Sequence, residues 1–389
     1  MTPETLHARW LELVRGRGIG PVLIKRLVAA FHTPQAVLCA DAAALHAHTD
    51  LTPTGRQRVL EALASPPSDG VWKDLERLQQ WGGRLHLPGT HGYPESLWQM
   101  ADPPGVLYSL GRGELVTRTP QLAVVGSRRA GLIGLGLAKD LGAELSRAGV
   151  LVISGLALGI DAAAHRGALD AGQPTLAVLG CGLDVVYPPK NADLRARILE
   201  QGCLLSEMPP GMPVRKELFP YRNRILVGLA RGVLVVEASL RSGAMITARL
   251  AAESGRDVFA VPGPARAELS AGPHWLLRQG ARLVEHARDI LDEWPDCQEP
   301  ATPATLSEEV AVHAPAAFPG GIPGELPEVV WRRLGQGPVS GDELARCSSL
   351  TVAALSRILL QLELSGLVRR LPGNHFVLNH EEPQSSPPR

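Results

Sequence analysis

Between residues 120 and 262 the chain alternates short, largely apolar runs with longer stretches of helical period. The runs stand at 122–126, 150–154, 174–179, 203–206, 232–236 and 257–260. They are continuous rather than alternating, which is the pattern of strands buried on both faces. The spacing predicts a mainly parallel sheet with helices on either side. One helix is expected from about Gly134 to Ala148, an amphipathic one from Trp72 to Gly82, and a short strand at 84–89.

Upstream, residues 5–64 carry helical period alone. Leu6, Trp10, Leu13 and Val14 form one apolar stripe. Gly18-Ile19-Gly20-Pro21, followed by Ile24, Leu27 and Val28, reads as a helix-hairpin-helix unit, with a weaker copy at 51–63. Two readings of it stay open. Hairpin amides can hold a phosphate with Arg15, Arg17, Lys25 and Arg26 adding charge, or the unit can be a packing module.

Downstream, 295–325 is Pro- and Ala-rich without a period and reads as a flexible linker. Residues 326–379 read as helix, turn, helix, turn, helix and hairpin. Ser340 and Thr351 are expected as N-caps, Gly366 closes the third helix, and two strands flank Pro372-Gly373-Asn374. That is a winged-helix-like layout with 351–365 in the recognition position. The recognition segment offers Arg357 as its cation and carries Glu363, whereas a helix that reads bases brings several polar and basic side chains. A protein-interaction or auxiliary role is expected there, although Arg369, Arg370 and His375 lie on the wing. The tail 380–389 is polar.

The expected architecture is therefore α/β. An extended Rossmann-like domain (71–294) is flanked by a small helical domain (1–64) and, across the linker, by the winged-helix-like domain. At 389 residues the chain can build several cores. Its 39 Lys and Arg balance 39 Asp and Glu, so any nucleic-acid surface must be a local patch. Cys39, Cys181, Cys203, Cys297 and Cys347 are scattered without a CxxC pair, which argues against zinc or a disulfide framework and suits a reducing cytosol. The start does not read as a signal peptide and no apolar run reaches membrane-spanning length. A cytoplasmic protein without membrane contact, metal or cofactor is expected.

The candidate chemistry lies at the ends of the predicted strands, where sheets of this kind bind ligands. LVISGLALGID at 151–161 reads as strand, tight turn and helix start, with Asp161 at a cap position and amides that favour an anion. It is not GxGxxG, and no acidic residue about 20 positions on serves a ribose. The other strand ends give Gly126-Ser127-Arg128-Arg129, Ser154-Gly155, Tyr187-Pro188-Pro189-Lys190-Asn191, Ser206-Glu207 and Arg241-Ser242-Gly243. Phe219-Pro220-Tyr221-Arg222-Asn223-Arg224 precedes the fifth strand. Small residues, the cations Arg128, Lys190, Arg222, Arg224 and Arg241, and the rings of Tyr187, Phe219 and Tyr221 suit a single-stranded nucleic acid. A mononucleotide-sized ligand is the alternative. A third reading pairs the arginines with Glu207, Glu217 and Glu237.

These motifs also resemble a known family. AVVGSRRAG, VISGLALGIDAAAHRGAL, LAVLGCGLDVVYPPKN, LLSEMPPG, FPYRNRIL, EASLRSGAMITARLA, GRDVFAVPG and QGARLV follow one another within 122–283, as in the bacterial DNA-processing protein A (DprA/Smf) family. The resemblance implies a SAM-like N-terminal domain and a non-enzymatic role. The family binds and protects incoming single-stranded DNA in natural transformation, loads the RecA recombinase onto it, and dimerises through its Rossmann-like domain. It implies a basic pocket at Arg128, Lys190, Arg222 and Arg224, lined by Gly126, Ser127, Ser154, Gly155, Asn223, Ser242 and Gly243. Asp161 and His165 match as well and are read as cap and packing residues. No partner is implied for the winged helix.

A second scaffold resemblance gives the competing enzyme reading. Nucleotide phosphoribohydrolases of the lysine-decarboxylase-like superfamily share the sheet and glycine loops but act through the glutamate of PGGxGTxxE. Here EASLRSGAMITARLAAE stands in that place, with Glu237 as an imperfect substitute. A nucleotide-sensing regulator acting through the winged helix is a further reading.

Overall fold

The computed structural model describes residues 2–295 and, beyond them, Leu334, Val339–Ser340, Leu344, Leu355, Leu359, Glu363, Val368–Leu371 and His375–Leu378. The first of two compact units spans Met1–Ala301, the second Thr302–Arg389.

The first unit is built on a nine-stranded sheet. Its strands are β1 (Arg84–His86), β2 (Leu107–Gly111), β3 (Gln121–Val125), β4 (Leu151–Ser154), β5 (Thr175–Leu179), β6 (Cys203–Ser206), β7 (Gly232–Val235), β8 (Asp257–Ala260) and β9 (Arg282–Leu283). They lie in the order β1-β2-β6-β5-β4-β3-β7-β8-β9. The pairings from β6 to β9 are parallel, and β2 joins β1 and β6 antiparallel. Every residue of β3 to β7 is buried, which is why these strands read as largely apolar runs, with Gln121, Ser154, Thr175 and Ser206 only at their ends. In β3, Leu122 and Val124 enter the core on one face while Ala123 and Val125 enter the core on the other.

Two strands, β2 and β9, are not evident in the sequence. β2 carries Ser109 at a buried position, where its hydroxyl meets His86 Nε2 at 2.8 Å, so a polar residue interrupts the apolar run at no cost in unpaired groups. β9 has two exposed residues, too few to show a period.

Helices α1 (Pro3–Arg15), α2 (Pro21–Phe31), α3 (Pro34–Leu38), α4 (Ala42–His48), α5 (Pro53–Ala64) and α6 (Asp69–Gln80) precede the sheet. Thr2, Thr33, Asp41 and Thr52 cap α1, α3, α4 and α5 through their side chains. The buried stripe of α1 and α2 shares one core cluster with Leu179, Leu194 and Leu204 beneath the sheet. The hairpin between α1 and α2 packs against the segment before β2. Trp10 Nε1 donates to the Gly105 carbonyl (2.9 Å), Lys25 to that of Met100 (2.5 Å), and Arg15 meets Asp74 (2.7 Å) and Tyr108 (3.2 Å). Two of the four cations expected to face a phosphate are thus bonded to the protein's own acceptors, and Arg17 and Arg26 are exposed.

Around the sheet run α7 (Glu95–Trp98), α8 (Leu132–Arg147), α9 (Ile160–Asp170), α10 (Ala192–Gln201), α11 (Leu218–Leu229), α12 (Gly243–Glu253), α13 (Ala271–Arg278) and α14 (Ala287–Leu291). Residues of α8, α9 and α14 pack on one face, and residues of α11, α12 and α13 on the other. Among the described residues no helix is long and apolar enough to cross a membrane.

The second unit holds β10 (Val339–Ser340), β11 (Val368–Leu371) and β12 (His375–Leu378), ordered β10-β12-β11. β11 and β12 flank Pro372-Gly373-Asn374, as the sequence predicts. Ser340, expected as a cap, closes β10 opposite His375. The linker from residue 296, the cap at Thr351, Gly366 and the tail lie outside the described residues.

Candidate nucleic-acid interface

The turn after β4 has the predicted shape, and two of its amides are already taken. The N–H groups of Gly155 and Ala157 donate to one Asp161 carboxylate oxygen, at 3.1 and 3.3 Å. Asn191 Nδ2 holds the carbonyls of Leu156 (3.0 Å) and Ala157 (3.2 Å), and buried Leu156 adopts φ 56°. The N-cap of α9 is Gly159 at φ 80°, set where a side chain would strike the Ser127 carbonyl. Asp161 is therefore not the cap that was expected; it sits inside the first turn and ties the loop together. Burial pushes its carboxyl up, opposed by Arg222 and the two amides. At α8 the same device recurs. The Gly131 N–H donates to Glu237 Oε2 (2.9 Å), and the Ser127 N–H to the Glu237 carbonyl (2.6 Å). Both helix starts that border β3 thus carry carboxylates of the chain itself where the sequence suggested amides open to phosphate.

Three of the expected site residues on α11 are likewise engaged. The Arg222 guanidinium lies buried against Gly155, where any side chain would collide with it, and donates to the Val178 carbonyl. Burial pulls its pKa down while Asp161 pulls it up. Arg224 is held by both Glu207 oxygens (2.7 and 2.6 Å), the Asp102 carbonyl (2.6 Å) and the Tyr221 hydroxyl (2.9 Å), with its guanidinium carbon 4.3 Å from the Tyr221 ring centroid. Burial pushes Glu207 up against the pull of Arg224. The expectation of two free rim charges on α11 is thus corrected, and for Arg224 the pairing with Glu207 holds. Asn223 Nδ2 donates to Thr247 Oγ1 (3.0 Å), and the Ser154 hydroxyl, fully buried, to the Val124 carbonyl (2.6 Å).

Other expected residues remain open. Arg128 is exposed in the loop after β3, with its guanidinium carbon 5.5 Å from the Phe219 ring centroid. Phe219 in turn lies 5.6 Å from Tyr187, the two rings tilted by 35°. These three side chains border a cleft of about 80 Å³ floored by Gly155, Leu156, Gly180, Cys181 and Arg222. Burial pushes the Cys181 thiol up to about 11, so it is neutral there. Lys190 is exposed three residues beyond Tyr187, and Tyr221 is exposed on the first turn of α11. Gly126 packs against Ile160 and Glu237, and the Ser127 hydroxyl accepts from the Arg129 N–H (3.1 Å). Ser242 and Gly243 start α12 behind exposed Arg241, apart from the residues lining the cleft.

Sequence reasoning missed the tying roles of Asp161 and Asn191, and it missed Leu132 and Ile133, which project at the start of α8. A carboxylate six residues after Gly155 was a signal that could have been weighed as the loop's own anion. Among the described residues no cluster of His, Cys, Asp and Glu could hold a metal ion.

Residues 84–295 match the family model described as DNA recombination-mediator protein A, and residues 314–374 match the DprA winged helix domain. Over 339 residues the chain is 38% identical to Protein Smf of Escherichia coli K12, covering 85% of this chain and 86% of that protein. It is 32% identical to Protein Smf of Synechocystis over 396 residues, 95% and 98% of the two chains. The crystal structure of DNA processing protein A from Streptococcus pneumoniae superposes with a TM-score of 0.61 at 33% identity, over 73% of this chain and 97% of that one. The Helicobacter pylori protein, described as having a unique single-stranded DNA binding mode, superposes at 0.51 with 28% identity, over 56% and 97%.

Proposed function

Because the chain belongs to the DNA recombination-mediator protein A family, also called DprA or Smf, we propose that it binds single-stranded DNA across the rim beyond β3, β4 and β5. It protects the strand and loads the RecA recombinase onto it in natural transformation and homologous recombination, acting in the cytoplasm as a homodimer formed through the sheet domain. The observation that carries this reading is the open group of Arg128, Phe219 and Tyr187. A cation over one ring and a second ring beside it serve the two repeating parts of an unpaired strand, phosphate and base. A duplex hides its base faces, so the rings favour single strands. The Helicobacter pylori relative, with its single-stranded DNA binding mode, supports the same reading.

The residues divide by state. Arg128 and Lys190 meet phosphates, and Phe219 and Tyr221 meet bases. Arg222 shapes the floor and Arg224 holds Tyr221, while Gly126, Ser127, Ser154, Gly155 and Asn223 fix the loops. Ser242 and Gly243 face the strand farther along the same edge. The winged-helix domain, carried on the 295–325 linker, engages a protein partner.

Two features disfavour the phosphoribohydrolase reading. The cleft, about 80 Å³, is smaller than the roughly 300–1,000 Å³ of sites that enclose a small ligand. Glu237 is bound to the Gly131 N–H at the start of α8. The test is a fluorescence-anisotropy titration of labelled oligo-dT and equal-length duplex, with mononucleotide as competitor, followed by RecA filament assembly on coated strands. Strand-selective binding that mononucleotide does not displace, with faster filament assembly, is the expected result. Weak oligonucleotide binding displaced by mononucleotide overturns it.

A further inference from the structure

Two large apolar side chains project from the first turn of α8, where Leu132 is 88% and Ile133 83% exposed. Their turn is anchored. The Gly131 N–H is bonded to Glu237, and Gly134 lies directly against the same carboxylate. Across that contact, in the loop after β7, Leu240 is 55% exposed and is followed by exposed Arg241. β3 and β7 are adjacent, and the chain builds outward from this pair in opposite directions. Such a reversal leaves a crevice beyond the strand ends, the usual place for a ligand on an open α/β sheet. Here the crevice's amide is filled by Glu237, and apolar side chains stand at its mouth. Arg129 precedes them in the loop after β3 and Arg241 follows Leu240 in the loop after β7, both exposed, and among the described residues neither guanidinium has an ion pair or hydrogen bond.

The geometry points to Leu132 and Ile133 as an apolar wedge against which bases of the single strand pack as it leaves the Arg128–Phe219 cleft. This rests on the single-stranded DNA reading above and extends its track toward β7. Three observations select a nucleic acid strand as the occupant. The wedge continues the open rim through only three residues, from Arg128 to Leu132. Exposed cations stand in both loops that follow the adjacent strands β3 and β7, Arg129 in one and Arg241 in the other, available to phosphates. Aliphatic side chains presented from a fixed backbone are also the groups that slip between bases in bound nucleic acids.

The test uses the full chain and oligo-dT carrying 2-aminopurine at successive positions, read for affinity, for probe fluorescence and for salt dependence. Both side chains are exposed, so Leu132→Ser with Ile133→Ser leaves folding intact. The double variant is expected to bind about fivefold to tenfold more weakly and to lose the fluorescence change at one or two adjacent positions, with its salt dependence unchanged. An abasic site at those positions removes the difference from wild type, and Ile133→Phe binds at least as tightly as wild type. Wild-type affinity and an unchanged fluorescence pattern in the double variant overturn the wedge while leaving the cleft reading intact. A change of oligomeric mass in sedimentation, with the probe pattern unaltered, also overturns it and makes the surface a protein contact. Failure of the wild-type chain to bind oligo-dT sinks the cleft reading itself, and the wedge with it.

Discussion

On α11, Arg222 and Arg224 are buried, bonded to carbonyls and, for Arg224, clasped by Glu207. Across the cleft, in the loop after β3, Arg128 and Arg129 are exposed, and Arg128 rests against the face of Phe219. The two walls carry the same residue type at the same rim of the sheet, yet the arginines of one are structure and those of the other are available. What separates them is the number of partners the fold supplies. A guanidinium with several acceptors in a buried site has little to offer a phosphate, because transfer would leave Glu207 or Asp161 uncompensated. An exposed one loses mainly water and rotamer freedom on binding.

The largest effect that can break this comparison comes from the buried wall. Glu207→Ala leaves the Arg224 charge without its main partner and is expected to destabilise the protein by about 3 kcal/mol, seen as a lower urea midpoint. Replacing the pair together, Arg224→Met with Glu207→Leu, recovers most of that loss. If Glu207→Ala is instead as stable as wild type and binds DNA differently, Arg224 belongs with the open wall.

Next in size is acid sensitivity at the buried His165 of α9, whose protonation the Arg222 charge opposes. His165 is fully buried, meets Thr175 Oγ1 at 2.7 Å, and burial with Arg222 and Arg166 lowers its pKa from 6.5 to about 3. The folded state keeps it neutral while the unfolded chain takes up a proton below pH 6.5. Its contribution is therefore present above that pH and is lost as pH falls toward 3. Between about pH 7 and about pH 5 the loss is about 2 kcal/mol, measurable by urea unfolding at both values. His165→Gln flattens that dependence, and an unchanged pH slope in this variant contradicts the assignment.

Smaller still are the effects at the open side chains, Arg128 of the loop after β3 and Phe219 of α11. Arg128→Ala is expected to weaken oligo-dT binding about tenfold, roughly 1.4 kcal/mol, while unfolding stays within about 0.5 kcal/mol of wild type. Phe219→Leu keeps an apolar body but removes the ring, and a loss of about 1 kcal/mol in strand affinity sharpens the division of labour between charge and stacking. A duplex probe should register little of the Phe219 effect.

The sheet was legible because β3 to β7 are buried on both faces and so announce themselves as apolar runs. β2 was not, since its buried Ser109 depends on His86, which no local pattern reveals. At the rim, residue identity and position were legible through strand ends and through the family resemblance. Engagement was not, because Asp161 reaching back to Gly155, Glu207 reaching Arg224 and Glu237 reaching Gly131 are set by tertiary packing. The same limit hid Leu132 and Ile133. Just past the glycine turn they read as the approach to a helix, and only the fold shows that they point away from every core.

The most direct test of the division between walls is the salt dependence of oligo-dT binding in paired variants. Each phosphate contact removed flattens the log–log slope by about 0.7 for single strands. Arg128→Ala with Lys190→Ala should flatten it by about 1.4, whereas Arg224→Met with Glu207→Leu should leave it unchanged. A flattened slope in the second pair and an unaltered slope in the first would contradict the account.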